Sequence, residues 1–385
     1  MGEGHIRIPV IGSIIRLFRH VDWLIVLAAV PLVGAGLVTM NSFVGENYFF
    51  EKQLISASIA FAAFLVCSVI DFRFLRRTIV VVLLFSGICL LLLALFILGQ
   101  TVKGAQSWFD FGFFSFQPAD FAKLMLVLLL AKYFARRHIE IAHVRHIFVS
   151  GAYALILFML VFLQPDFGSA VIIFLIWFGM VLVSGISWKH LLAVFLLGAV
   201  TFGALWFFVF QDYQKDRVIS FIYPRTDISG SGYNAFQSTI AVGSGQLLGK
   251  GLGFGTQSRL KFLPEYQTDF VFSAFAEEWG FVGALIIFFS YGFLVMRILK
   301  IAAHGETNFE ILYGLGLAIF FISHFFINIG MNIGLLPITG TPLPFMSYGG
   351  THLLTECIGL GILMSFRRYS QRVHKDDMKR EFLGI

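Results

Sequence analysis

Between Asp22 and Phe366 the chain is a train of apolar stretches of membrane-spanning length, and nothing else in it constrains the fold as strongly. Each stretch is long enough, at about 1.5 Å per helical residue, to cross a hydrocarbon core of about 30 Å. Of its 385 residues 58% are apolar and 13% charged, whereas a soluble domain carries about a quarter charged residues. The predicted architecture is an all-α polytopic membrane protein of about ten helical spans. Their extents are Asp22–Met40, Lys52–Ile70, Thr78–Gly99, Pro118–Ala135, His146–Phe162, Phe167–Gly185, His190–Phe210, Glu277–Leu299, Phe309–Asn332 and Tyr348–Phe366.

Orientation follows from the basic residues. Arg7, Arg16 and Arg19 precede the first span; Arg73, Arg76 and Arg77 separate the second and third; Lys132 sits in the last turn of the fourth, and Arg136, Arg137 and Arg145 follow it. Arg297 and Lys300 end the eighth, and a run from Arg367 to Arg380 follows the tenth. With alternating spans these segments share one side, which the positive-inside rule makes cytoplasmic together with both termini. The long polar segment Gln211–Thr268, between spans seven and eight, is then extracytoplasmic. Its own Lys and Arg do not oppose this, because long loops translocate largely regardless of charge. The net charge of +6 is this same orientation signal and is no argument for nucleic acid. Cys67, Cys89 and Cys357 fall inside spans and read as small apolar packers. No cleavable leader is expected, since the first apolar segment is too long and further spans follow it. The whole chain, 1–385, reads as one integral membrane domain, with 211–268 as a loop within it.

The ionisable residues that stand outside obvious basic loops gather at one edge of the spans: Asp120, Lys123, Asp166 and Asp269. Ionisable groups at membrane depth usually mark function. Asp269 follows Phe262–Thr268 and opens a long helix. It suits a helix-dipole partner or a general base equally well, with Thr268 the better formal N-cap. Glu277 and Glu278 lie about two turns further on and need partners or water. Asp120 and Lys123, three apart on one helix, form either a self-cancelling ion pair or a cation for an anionic headgroup oriented by a carboxylate. Trp108 reads as an interfacial anchor. Asp166, after Gln164-Pro165, is a helix cap or a cavity group. Arg217 and Arg225 are ordinary loop cations or permanent charge for a phosphate. Ser323, His324 and Asn328, midway along the ninth span, are expected to make interhelical hydrogen bonds rather than a proton relay. The run ending Gly249-Lys250 fails as a phosphate-binding loop: Ser244 replaces its first Gly, and Gly251 stands where Ser or Thr is needed. The glycines from Gly243 to Gly255 read as tight turns and close backbone approach.

Several ordered segments resemble the SEDS family (shape, elongation, division and sporulation). They are Gly104–Trp108, Gln117–Asp120 with Lys123, Gln164–Gly168, Tyr233–Ser238 with Gly243–Gly245, Thr268–Phe270 and Pro342–Gly350. Gly255–Ser258 and Phe262–Glu265 look like its RodA branch. The resemblance covers nearly the whole chain. It implies ten transmembrane helices and a bacterial inner-membrane peptidoglycan glycosyltransferase of cell elongation and shape. Such an enzyme polymerises lipid II on the extracytoplasmic face through β-1,4 linkages and releases undecaprenyl pyrophosphate. It also implies the nascent glycan strand, a class B penicillin-binding protein supplying the transpeptidase, and other elongation proteins as partners, with no nucleic acid. By residue, Asp269 matches the essential aspartate, and Trp108, Asp120, Lys123 and Asp166 match family site positions. Arg217 and Gln237 complete the expected substrate contacts. Ser107, Asp120, Ile228 and His352 depart from a usual Arg, Glu, Pro and Ser.

One base and one or more cations suit inverting glycosyl transfer. Asp269 would take the proton of the acceptor's 4-hydroxyl, and Lys123, Arg217 or a divalent ion (Mg²⁺ or Mn²⁺) would stabilise the departing pyrophosphate. The competing class is a lipid-linked precursor flippase, but transporter sites sit near the midplane, often at repeat interfaces. A partner-binding scaffold would not explain the carboxylate–lysine constellation.

Overall fold

The computed structural model describes residues 18, 20–42, 47–102, 105–112, 115–136, 144–185, a few positions from 192 to 208, then 212–222, 231–260 and 262–383. The helices α1 (Trp23–Asn41), α2 (Asn47–Val69), α3 (Thr78–Leu98), α4 (Pro118–Ala135), α5 (Val144–Phe162) and α6 (Phe167–Val183) coincide with the first six expected spans. Most of the expected seventh, His190–Phe210, lies outside the described residues. Among the described residues six helices are long and apolar enough to cross a membrane, and the chain is a multi-pass membrane protein.

Three differences from the sequence expectation matter. A small antiparallel meander, β1 (Gln100–Val102), β2 (Ala105–Asp110) and β3 (Ser115–Phe116), precedes α4. The expected loop 211–268 carries the helices α7 (Asp212–Ile222), α8 (Ser231–Ser244) and α9 (Thr256–Arg259). The eighth span starts earlier than Glu277 and runs as α10 (Val271–Ala302), followed by α11 (Asn308–Asn332) and α12 (Gly350–Leu383). Phe270, not Thr268, is the N-cap of α10, and it makes no side-chain capping bond.

α4 is buried along nearly its whole length, from Pro118 to Phe134, as a helix apolar on all faces is when neighbours enclose it, and Asp120 and Lys123 are buried with it. The outer helices α1 and α3 instead present residues such as Leu27 and Leu83 outward, toward lipid tails. Close packing inside uses small residues. A Cβ added at Gly361 of α12 would lie 2.6 Å from the Cys67 Cβ of α2.

Of the basic residues placed on one side by the sequence, Arg76, Lys132, Arg297, Arg367 and Arg368 bond to neighbouring helices, while Arg7, Arg16 and Arg19 lie outside the described residues. Asp22 caps α1, accepting from Leu24 N at 3.1 Å, and pairs with Arg297 of α10 and with Arg367 of α12 at 3.4 Å. Arg367 also donates to His20 O at 3.2 Å, and Arg368 to Val69 O at 2.7 Å. Arg76 pairs with Glu306 at 3.1 Å and with Glu310 in the first turn of α11, while Lys132 of α4 donates to Arg76 O. Six helices are thus tied together at one Arg-rich rim.

At the other end α10 is broken. Gly280 sits at φ 67, ψ −163, a region essentially confined to glycine. The turn after α8 fills the break. Lys250 N donates to Glu277 O at 3.0 Å and Gly251 N to Glu278 O at 3.0 Å. In return Phe281 N donates to Gln246 O at 2.8 Å and Val282 N to Leu247 O at 3.1 Å. This supports the close-approach reading of the glycine run: a Cβ on Gly249 would lie 2.0 Å from Glu278 O. Glu277, fully buried, accepts from Lys250 Nζ at 2.6 Å and Thr256 N at 2.9 Å. Glu278 accepts from Ser42 Oγ at 2.8 Å and Gly253 N at 3.1 Å.

Between α11 and α12 the chain from Pro337 to Gly349 forms no helix, yet most of it is buried. Irregular backbone is tolerated in a membrane protein where protein surrounds it. α1 passes so close that a Cβ on Gly36 would lie 2.2 Å from Met346 O.

Candidate active site

Asp269 lies in the turn before α10 and is partly buried. Its backbone is held hard: Asp269 N donates to Glu265 O at 3.1 Å, and its carbonyl accepts from Asn328 and Asn332 of α11, each at 3.0 Å. The two asparagines, one turn apart, present both amides to one carbonyl. Asn328 also donates to Thr341 O at 2.7 Å. Its side chain lies against the irregular segment, since a Cβ added at Gly340 would be 3.5 Å from Asp269 Oδ2.

Arg217 of α7 reaches the same segment, donating Nη1 to Thr339 O at 3.2 Å. The start of α6 also abuts it, with a Cβ on Gly168 placed 2.5 Å from Thr339 O. Asp166 caps α6, accepting from Ser169 N at 3.0 Å, and takes a hydrogen bond from Gln117 Nε2 at 2.9 Å, which ties it to the start of α4. The Thr339–Thr341 stretch therefore has Asp269, Arg217 and the Asp166 turn around it. Trp108 lies on β2, partly buried, and next to it Ser107 Oγ donates to Gln164 O at 3.2 Å, docking the meander on that same turn. Gln237 is partly buried on α8, which is anchored beside it by Ser238 to Ser273 at 2.6 Å and to Asn332 O at 2.8 Å. Arg225 and Ile228 lie outside the described residues.

Asp120 and Lys123 form the expected pair, Nζ to Oδ1 at 2.9 Å, with side chains 3% and 1% exposed. Two buried charges are costly to desolvate unless further bonds satisfy them, and the structure supplies more partners. Lys123 Nζ is 3.4 Å from His324 Nε2, and His324 Nδ1 is 3.0 Å from Phe320 O. A ring nitrogen beside a carbonyl must donate, which leaves Nε2 as the acceptor for the ammonium. His324 thus makes an interhelical contact, as the sequence suggested. Along α11 about 6 Å separates His324 from Asn328, the residue that holds Asp269.

Sequence reasoning missed the rest of this cluster. His352 Nδ1 lies 3.2 Å from Asp120 Oδ1, and its Nε2 lies 2.9 Å from Glu356 Oε1. Glu356 in turn accepts from Phe345 N at 3.0 Å. A carboxylate in the middle of the tenth span was itself the available signal. The buried asparagine Asn332 and the Thr339–Thr341 stretch were likewise passed over; two prolines and a glycine close together marked the latter. Among the described residues no set of three or more His, Cys, Asp and Glu side chains is placed to hold a metal.

Chemically, the arrangement offers a carboxylate and a guanidinium against one irregular segment, with a buried ammonium elsewhere in the bundle. That set can deprotonate a hydroxyl and stabilise an anionic leaving group. Over residues 15–372 the chain matches the family model of FtsW, RodA and SpoVE, described as a cell cycle protein. It is 41% identical over 292 residues to the peptidoglycan glycosyltransferase MrdB of Escherichia coli K12, covering 75% of this chain and 78% of that protein. A chain of a peptidoglycan synthase complex, solved to explain the coordination of polymerization and crosslinking, superposes with a TM-score of 0.77 at 31% identity. The match covers 91% of this chain and 98% of that one. The rod shape determining protein RodA of Thermus thermophilus superposes at 0.68 with 29% identity, over 90% and 96% of the two chains.

Proposed function

Because the chain belongs to the FtsW, RodA and SpoVE family and is a peptidoglycan glycosyltransferase of cell shape, we propose that Asp269 is its general base. Asp269 accepts the proton of the acceptor lipid II 4-hydroxyl as that oxygen attacks the donor glycan. The β-1,4 bond forms, and the bond to undecaprenyl pyrophosphate breaks with its electron pair leaving on the phosphate. Arg217, bonded to Thr339 O of the same stretch, meets the outgoing charge directly. Lys123 is closed to solvent and acts through the low-dielectric interior, where a charge is felt further than in water. Trp108, Asp166 and Gln237 line the approach of the substrate. The observation that carries this reading is that Asp269 and Arg217 both lie against the irregular Thr339–Thr341 segment, with the Asp269 backbone held by Asn328 and Asn332.

The reaction takes place on the outer face of the bacterial inner membrane, opposite the Arg-rich rim. A class B penicillin-binding protein supplies the crosslinking activity, in keeping with the likeness to a chain from a synthase complex, and other elongation proteins join it. A flippase is not favoured, since the relatives are named as glycosyltransferases.

The test is polymerisation of labelled lipid II by purified protein in detergent. General-base assistance is worth roughly a hundred- to ten-thousand-fold, so Asp269→Asn should lose nearly all polymer while eluting and melting as the parent does. Glycan of parental length from folded Asp269→Asn would defeat the assignment.

A further inference from the structure

Five titratable side chains run in a buried line across three helices, α11, α4 and α12: His324, Lys123, Asp120, His352 and Glu356. The mechanism above uses only Lys123 and its partner Asp120. His352 is 7% exposed on its side chain and sits between two carboxylates. The contact to Glu356 is close but out of line for a full hydrogen bond, leaving Nε2 and Oε1 without one; it is an ionic contact. With a carboxylate oxygen within 3.2 Å of each ring nitrogen, negative charge faces both sides of the ring, the setting of an imidazolium.

The charges then close. Lys123 and His352 balance Asp120 and Glu356, and Asp120 Oδ1 is shared between both cations. Without His352, three charges would remain and one carboxylate would be buried without a counterion, a strongly unfavourable state. Asp120 would also fall wholly on Lys123 and cancel its field. The line does not stop at Glu356, which holds Phe345 N. Phe345 belongs to the turn in which Ser347 Oγ accepts from Leu343 N at 2.7 Å and donates to Thr268 O at 2.6 Å. Tyr348 N donates to Gln267 O at 2.9 Å. These are the residues immediately before Asp269.

We propose that His352 is a positioning residue for the polymerisation reaction, holding the Asp120–Lys123 pair in register with the turn that carries Asp269. It rests on the roles given above to Lys123 and Asp269. It works by bridging Asp120 to Glu356, so that the ammonium keeps its field and the base keeps its place. The residue touches neither base nor leaving group itself.

The experiment is steady-state polymerisation of labelled lipid II by the full chain carrying His352→Gln, His352→Gln with Glu356→Gln, or Lys123→Met, with thermal midpoints measured in parallel. His352→Gln should lower kcat/KM about tenfold, the scale of a lost charge-assisted bond. Adding Glu356→Gln should recover most of the loss, because it removes the surplus negative charge; a packing role predicts no such recovery. Nitrogen-15 NMR of the parental histidines, assigned with the double variant, should find both ring nitrogens of His352 protonated at neutral pH. A folded His352→Gln with parental kcat and KM, a double variant no better than the single, or a neutral His352 ring would each overturn the proposal. If His352→Gln does not fold, the NMR measurement on the parental chain decides. A harmless Lys123→Met would instead bring down the role given to the cation, whereas a damaging Lys123→Met beside a harmless His352→Gln sinks this inference alone.

Discussion

Gly280→Ala puts a number on the broken helix. At φ 67, ψ −163 an alanine costs about 1–3 kcal/mol in backbone strain. Its Cβ would stand 2.3 Å from Gly249 N and 2.7 Å from both Leu247 O and Leu248 C. All three atoms are backbone and cannot swing aside, so the turn must withdraw. Four hydrogen bonds join it to α10; losing two at about 1 kcal/mol each brings the total to about 3–5 kcal/mol. Gly292, in the same helix, is the control, because nothing lies within 4 Å of its added Cβ. There alanine should be neutral or favourable by about 0.5–1 kcal/mol. Thermal unfolding of the two variants in detergent should separate their midpoints by about 4–7 degrees. Gly280→Ala should also lose polymer output, because the displaced turn leads into Leu263–Asp269. Equal midpoints for the two variants would refute the claim that the turn is bonded into the break.

Asp22→Ala leaves Arg297 and Arg367 together without their shared carboxylate. As both guanidiniums keep some solvent, the loss should sit at the low end for a broken buried pair, about 3 kcal/mol, read by thermal unfolding. Glu277→Gln turns one acceptor oxygen into a donor facing the N–H groups of Thr256 and Gln257. It should cost about 2–3 kcal/mol and speed trypsin cleavage after Lys250 and Arg259; an unchanged cleavage rate would count against the brace.

Most of the membrane architecture was legible because each span must be apolar along its length, and that pattern is local. What escaped was set by distant partners. The start of α10 was misplaced since Glu277 and Glu278 read as a boundary; their partners Lys250, Thr256, Gly253 and Ser42 come from other parts of the chain. For the same reason Thr268 looked like the cap, while its carbonyl is in fact engaged by Ser347. At the site, the spacing of Asp120 and Lys123 announced a pair. Nothing near Asp120 announced that His352, 232 positions away, would share its oxygen. The asparagines that grip Asp269 were half seen, Asn328 as a polar residue in a span and Asn332 as merely its end.

The knot of arginines and acids around Asp22, Arg76 and Glu310 also says how this molecule can breathe. A sheaf of rods bound near one tip has its fulcrum there, so splaying concentrates at the far tips. Any widening of the bundle is therefore easier at the end where α10 is broken than at the Arg-rich rim.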